Sequence, residues 1–357
     1  MTVASSSTMI FAKSPSMFLN PQATNDLDRH VLCTVLYIKH YVVIFAKPRH
    51  WNHQKINNTI SECISQLQSD CDYELKEKAL QTLVSITKAS PPNRNLLLQN
   101  NEVLPTILTL LTSSSRTLEK LSLSILFNLS LNPNLKSTLA DMATIQHLNT
   151  IILSRGRWST ESGRLAASLI CSLAMLDKNK AVFGVANTIQ ALLKAVSGSK
   201  GHVTHHLLSS LAELAQFHGN CTLAVRAGAV NVLLRIVENK DCEDLSGTAL
   251  VILGLLARFD EGLKALINAP YIVSRMLDVL KGRCMMSNEG ATEILVRVFD
   301  ESEECLKEAM GLPDLMFVLA EVSVRGSTRA REKASQLLKR LEANELYAED
   351  NLVFLKW

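Results

Sequence analysis

The segment HVTHH at residues 202–206 carries three histidines that could bind a metal ion. His202, His205 and His206 follow an i, i+3, i+4 spacing, which puts them on one face of a helix. Imidazole nitrogens at that spacing can bind a transition metal. No cysteine or carboxylate lies at a matching spacing nearby, since Glu213 is two turns further on. The pattern therefore favours a surface histidine cluster, and the sequence predicts no bound metal and no other cofactor.

The other segments that resemble chemical motifs are incomplete. The stretch VSGSKGH at 196–202 is rich in glycine and contains a lysine, but it lacks the GxxxxGK[ST] pattern of a phosphate-binding loop. The sequence has no GxSxG or HExxH motif and no Cys/His nucleophile arrangement. The sequence therefore predicts no catalytic residues and a protein that is not itself an enzyme.

The cysteines indicate the compartment. Eight are scattered along the chain without a CxxC pair or zinc-finger spacing, at positions 33, 63, 71, 171, 221, 242, 284 and 305. Cys171 lies in an apolar helical run, which is typical of a buried free thiol. Unpaired cysteines are typical of a reducing compartment, so we expect a cytoplasmic and/or nuclear location.

Composition limits the classes of partner. With 47% hydrophobic and 20% charged residues, the 357-residue chain can bury a large core and is not disordered overall. Its net charge of +3 and its 5% aromatic content do not suggest a nucleic-acid partner.

One sequence pattern occurs three times along the chain, which indicates repeated structural elements. It reads LSLSILFNLSLNPNLKSTLA from 121, LAASLICSLAMLDKNKAVFG from 165 and LLSSLAELAQFHGNCTLAVR from 207. Each version contains two apolar anchors three residues apart, and successive second anchors are separated by 41 to 44 residues. The anchor pairs are Leu83/Ile86, Leu126/Leu129, Ile170/Leu173, Leu211/Leu214, Leu253/Leu256, Leu295/Val298 and Leu338/Leu341.

Each unit is predicted to contain three helices. In one unit, a short helix occupies NPNLKSTLADMA, a second follows in IQHLNTIILS, and a third runs from about Glu161 to Ala174 with apolar residues at helical spacing. Glycines fall between the second and third helices, where the chain must reverse, at Gly156, Gly198, Gly282 and Gly326. A helical period of about 40–47 residues is the signature of armadillo and HEAT arrays.

The phrases ILFNLSLNPNLK, AVRAGAVNVLLRIVEN and RGSTRAREKASQLLKRLEA resemble the armadillo-repeat region of plant U-box/armadillo proteins. The resemblance covers residues about 60–342. It implies an all-α fold, a right-handed superhelical solenoid of six to seven armadillo units of about 42 residues. We expect the solenoid to span 56–342, with an atypical, poorly ordered segment at 1–55 and a tail at 343–357.

The resemblance also implies where a partner would bind, because third helices of armadillo proteins line a concave groove. The residue just before each second anchor, and the residue four earlier, are then groove positions. The predicted partner-binding residues at or beside these positions are Ser124, Asn128, Ser168, Ser172, Ser209, Glu213, Glu289, Glu293 and Arg297. Charge reversal at Glu293 and Arg297 is expected to weaken binding without changing the melting temperature.

Three functions remain open. The first is a non-catalytic scaffold that binds a protein segment in the groove, as an extended or helical peptide. The second is the substrate-recognition arm of a U-box ubiquitin ligase, with partners in the ubiquitin pathway. The third is a nuclear-import adaptor. Import adaptors carry a Trp/Asn ladder in the groove, of which Asn128 alone remains here.

The N-terminal residues do not fit the repeat. A U-box begins with Pro-x-x-Phe-x-Cys-Pro-Ile, and SPSMFLNP at 14–21 matches only Pro15 and Phe18, with Pro21 displaced. No later U-box segment is recognisable. The apolar stretch 31–46 is only 16 residues long and has Lys39 and His40 at its centre, so we expect no membrane span.

Overall fold

The computed structural model describes residues 53–70, 72–154, 161–198, 202–239 and 243–354, and these consist of helices and turns without a β-strand. The α-helices are α1 His53–Gln68, α2 Tyr73–Ala89, α3 Pro91–Gln99, α4 Val103–Leu111, α5 Arg116–Ser130, α6 Lys136–Leu139, α7 Met142–Leu153, α8 Glu161–Ala174, α9 Asp177–Val185, α10 Thr188–Gly198, α11 His202–Leu214, α12 His218–Arg226, α13 Ala229–Val237, α14 Glu243–Leu256, α15 Asp260–Ile267, α16 Ile272–Leu280, α17 Met285–Glu301, α18 Glu303–Met310, α19 Leu315–Arg325 and α20 Thr328–Phe354. A 3₁₀ turn, Pro133–Leu135, precedes α6.

The helices group into seven units, which confirms the predicted repeat count. The helices α1 and α2 form an incomplete first unit, and six three-helix units follow, from α3–α5 to α18–α20. Local signals set several helix starts. The Ser90 hydroxyl accepts a hydrogen bond from Asn93 N ahead of α3, and Asp141 accepts from two backbone N–H groups ahead of α7.

A left-handed residue joins the first and second helices in three consecutive units. Asn187, Gly228 and Tyr271 have φ angles of 61°, 80° and 58°, and each directly precedes its second helix. Glycine and asparagine adopt this conformation readily, whereas a tyrosine is strained there. The recurrence of the turn shows that the corner is set by the repeat and not by the residue type.

The units stack into two layers. Each third helix packs on the third helix of the next unit, in the order α2, α5, α8, α11, α14, α17 and α20. The second helices form the other layer, and they contact one another less extensively. The third-helix layer carries the positions that the sequence assigns to the groove.

The core runs continuously between the layers. Both anchors are fully buried in the central units, as at Leu126 and Leu129 or Leu211 and Leu214, and Phe183 is fully buried as well. Burying one such side chain stabilises the fold by about 1.5–3 kcal/mol, an upper estimate relative to an extended unfolded chain. Because each anchor contacts only adjacent units, stability is approximately a sum of neighbour interactions.

The predicted domain limits differ from the helix ends. The helix α20 runs past residue 342 to Phe354, since NELYAED supplies no glycine or proline that would end a helix. Most of the segment 1–55, with the U-box comparison and the apolar stretch 31–46, lies outside the described residues. Among the described helices, none is long and apolar enough by itself to cross a membrane; one pair, His218–Arg226 with Ala229–Val237, passes that test only jointly and is bent by 81°.

Candidate partner-binding groove

The groove positions at the N-terminal end face solvent. Gln81 and Ser85 on α2 are exposed, and Ser124 and Asn128 on α5 are half-buried. The Ser124 hydroxyl donates to the Lys120 carbonyl within its own helix, at 2.9 Å. The Asn128 side-chain N–H donates to Thr87 Oγ1 of the preceding third helix, at 3.0 Å. This end of the groove presents polar hydroxyl and amide groups, and the predicted partner contacts at Ser124 and Asn128 remain a prediction.

The groove positions in the centre are buried. Ser168, Ser172, Ser209 and Glu213 all have less than a tenth of their surface exposed. The hydroxyl of Ser168 lies 3.0 Å from His206 Nδ1 of the next third helix. Ser130 Oγ donates to Ser172 Oγ at 2.8 Å. These side chains join adjacent third helices, and the predicted partner contacts at them remain a prediction.

Two lysines beneath the central groove were missed by sequence reasoning. Lys136 and Lys180 lie on the first helices α6 and α9, and both are buried. The ammonium of Lys136 donates to the Ser172 carbonyl and, at 3.2 Å, to its hydroxyl. Lysine is rarely buried without partners, so a pattern-based interpretation assigns both side chains to the surface. In the sequence, the spacing of 44 residues between the two lysines, which matches the repeat period, is the signal that could have indicated a shared structural role.

Lys180 is the centre of a polar cluster with Asp177, Glu213 and Gln216, in which Lys180 and Glu213 are buried and Asp177 is exposed. Its Nζ lies 2.7 Å from Asp177 Oδ1, 3.2 Å from Glu213 Oε1 and 3.0 Å from Gln216 Oε1. These three acceptors satisfy its three protons. Burial raises the pKa of Glu213 above its usual range, although the Lys180 charge opposes that shift.

Two asparagines fix the first helices beside this cluster. Asn179 Nδ2 donates to the carbonyls of Lys136 and Leu173, at 2.9 and 3.0 Å. Asn220 Nδ2 repeats this arrangement in the next unit, with the carbonyls of Lys180 and Leu214 at the same two distances. Each amide therefore joins the first helix of the preceding unit to the end of a third helix.

The C-terminal groove carries charged side chains that differ in exposure, since Arg297 is half-buried and Glu293 is buried. Arg297 Nε donates to Glu293 Oε1 at 2.7 Å, and Lys333 of the next third helix binds the other carboxylate oxygen. Burial acts to raise the pKa of Glu293, but the hydrogen bond and charge of Lys333, followed by Arg297, hold it below its usual range. Glu289 is half-buried one turn earlier.

The burial of Glu293 corrects one expectation. Charge reversal at Glu293 was expected to leave the melting temperature unchanged. The side chain is only 10% exposed and binds two cations. Reversal would place a cation against Lys333 and Arg297 in a buried site, so it would destabilise the fold as well.

A regular register relates neighbouring third helices. On each third helix of such a pair, one residue is fixed by its place next to the second anchor. The residue just before the second anchor of one helix bonds to the residue just after the second anchor of the preceding third helix, which lies 41 or 42 positions earlier in the chain. The pairs are Thr87 with Asn128, Ser130 with Ser172, and the Phe299 carbonyl with Arg340 Nη2 at 2.6 Å. Arg340 Nη1 also contacts Asp300, which follows Phe299.

The histidine cluster does not form a metal site in the described structure. His206 contacts Ser168, and His205 has a partner of its own. Within the described ranges, no group of three or more His, Cys, Asp or Glu side chains could hold a metal ion. The described cysteines 63, 171, 221, 284 and 305 are free thiols, and burial raises the pKa of Cys171 to about 12.

The repeat and its groove match a known family over most of the chain. The family model described as the plant U-box protein ARM repeat region matches residues 58–349. The chain belongs to this armadillo-repeat family.

A U-box domain-containing protein 8 from Arabidopsis thaliana is 27% identical over 233 residues, which are 64% of this chain and 59% of the relative. A U-box domain-containing protein 1 from Medicago truncatula is 28% identical over 33% of this chain and 17% of that protein. The armadillo chain thus spans less than two thirds of each relative.

Solved structures agree on the fold. An engineered protein superimposes with a TM-score of 0.69 at 19% identity, covering 79% of this chain and 68% of its own. A computationally designed armadillo repeat protein for modular peptide recognition has a TM-score of 0.60 at 17% identity, covering 67% of this chain and 99% of its own. A designed armadillo repeat protein in complex with the peptide (KR)4 has a TM-score of 0.59 at 16% identity, with the same coverage. These likenesses confirm an armadillo solenoid.

Proposed function

We propose that this armadillo array is a non-catalytic scaffold that holds a segment of a partner protein in its concave groove. The observation that carries the proposal is the series of partly exposed polar and charged side chains on the third helices at the two ends of the array. Ser124 and Asn128 line one end, and Arg297 and Gln336 line the other. Designed armadillo proteins that recognise peptides share the fold, which supports the same use of the groove here.

The groove favours a protein segment over other partners. A net charge of +3 supplies little of the phosphate attraction on which nucleic-acid binding depends. Third helices present amide, hydroxyl and guanidinium groups that can bond to the backbone and side chains of an extended chain. We place the scaffold in the cytoplasm and/or nucleus, in keeping with its free thiols.

The test is selection of a random twelve-residue peptide library displayed on phage against the immobilised protein. Gln336→Trp fills the groove at an exposed position of α20, and Ala320→Trp adds the same bulk at an exposed position of the second-helix layer. We expect an enriched peptide family whose binding is lost in Gln336→Trp and retained in Ala320→Trp. Binding retained in both variants would place the site elsewhere and contradict the proposal.

A second candidate function is the substrate-recognition arm of a U-box ubiquitin ligase, with partners in the ubiquitin pathway. It is supported by the family match and by the U-box domain-containing relatives. The intact mass of the native polypeptide separates the two functions. A mass near 39.4 kDa supports the scaffold, whereas a mass larger by a U-box of about 70 residues or more supports the ligase.

A further inference from the structure

Arg258 is an arginine at the C-terminal end of a third helix. It lies in the turn directly after α14 and is half-buried. Within the described part of the chain its guanidinium makes no hydrogen bond or ion pair. Burial raises the pKa of Cys221 to about 12, and the Arg258 charge acts to lower it, which places the guanidinium near α12. A half-buried guanidinium has five N–H donors that require acceptors.

The register of the repeat sets Arg258 opposite Arg297. Arg258 comes two residues after the anchor Leu256, just as Asp300 comes two residues after Val298. Arg297 directly precedes its second anchor, just as Arg340 precedes Leu341. Asp300 contacts Arg340 in the last pair of units. In the pair before it, an arginine therefore occupies the position of the aspartate.

Among the described residues, no carboxylate forms an ion pair with Arg258, although the exposed Asp260 lies two residues further along the chain. Arg297 turns back to Glu293, whose charge is shared with Lys333. Glu261 on α15 pairs with Arg226, at 3.2 Å. The groove positions of α14 itself are Val251 and Leu255, which carry no charge. Within the described residues, Arg258 therefore carries a charge without an ion-pair partner, and the groove position Val251 of α14 is half-buried and apolar.

We propose that a carboxylate side chain of the partner segment binds between Arg258 and Arg297. The carboxylate takes the position that Asp300 holds beside Arg340, and each guanidinium can donate paired hydrogen bonds to it. The half-buried Val251 lies one turn from Leu255 and offers a contact for an apolar residue next to the acidic one. The inference rests on the proposed function, since it names the chemistry of a segment held in the same groove.

The experiment takes the peptides selected by phage display on the unchanged protein and measures their affinity for Arg258→Glu. Because the Arg258 side chain makes no hydrogen bond or ion pair within the described structure, this variant is expected to retain the fold, which circular dichroism checks. Arg283→Glu is the matched control, since Arg283 is exposed in the turn between α16 and α17 on the other edge. Peptides selected on the unchanged protein are expected to share an Asp or Glu at one fixed position. Their affinity should fall about tenfold or more in Arg258→Glu and stay unchanged in Arg283→Glu.

A charge exchange completes the test. Replacing the shared acidic residue of the peptide by Lys should restore binding to Arg258→Glu. This inference is overturned if the enriched peptides share no acidic position, or if they bind Arg258→Glu and Arg283→Glu with equal affinity. In either case the proposed function still stands. If no peptide family is selected, this inference and the proposed function are both overturned. The same holds if the selected family binds Gln336→Trp as well as it binds the unchanged protein.

Discussion

Ser172 and Arg297 hold the same position in the repeat, yet they meet different surroundings. Ser172 on α8 is 6% exposed and bonds to Ser130 and Lys136, whereas the Arg297 side chain on α17 is 34% exposed. Central third helices carry serine and alanine and use their groove side to hold neighbours together. C-terminal third helices carry charged side chains that also bond to the neighbouring third helix, as Lys333 and Arg340 do, but that remain partly exposed. One architecture thus provides a cohesive centre and an accessible charged end.

The largest effect should come from breaking the central cluster. In Lys180→Met, Glu213 loses its main counter-ion in a buried site, which we expect to cost about 3 kcal/mol in the free energy of unfolding. Denaturant unfolding followed by circular dichroism measures the loss. Lys178→Met is the control, because Lys178 is exposed on the same helix. Equal stability of the two variants would show that the buried pair does not hold the centre together.

The equivalent change at the C-terminal end should cost less. In Lys333→Met, Glu293 keeps Arg297 as a partner, and the lost ammonium was 28% exposed. We expect a loss of about 1 kcal/mol, in the range of partly exposed ion pairs. The same denaturation experiment, with the exposed Lys339→Met as control, checks this value. A loss as large as that of Lys180→Met would remove the distinction between the two regions.

The two buried glutamates should respond to pH in opposite directions. The pKa of Glu293 is lowered in the fold, so its contribution to stability is present above the usual carboxyl range and is lost as pH falls through the folded pKa. The pKa of Glu213 is raised, so its charged form costs stability as pH rises through the usual range toward the folded pKa.

Glutamine variants make that difference measurable. Relative to the unchanged protein, Glu293→Gln should lose stability as pH rises from 3 to 7, and Glu213→Gln should gain it. Unfolding free energies at several pH values give both slopes. Slopes of the same sign would show that the two carboxylates experience similar environments.

The repeat could be predicted from sequence, and the burial of the groove could not. The anchors, the period and the limits of α8 follow from apolar spacing that is local to each helix. Whether Ser168 or Glu213 reaches solvent depends on how closely α8, α11 and their neighbours approach, and therefore on small residues about 40 positions away, such as Ala167. The buried Lys136 and Lys180 escaped prediction for the same reason, since their partners Ser172 and Glu213 lie on the third helix of the unit, far along the chain from each lysine.

The most direct test of the account is hydrogen–deuterium exchange of the protein with and without a peptide selected against it. Exchange reports the backbone segments that the bound peptide protects. The account predicts protection concentrated in the third helices, above all at residues 289–297 and 333–340. Protection confined to the second helices α16 and α19 would contradict it, because the partner would then bind the opposite layer of the array.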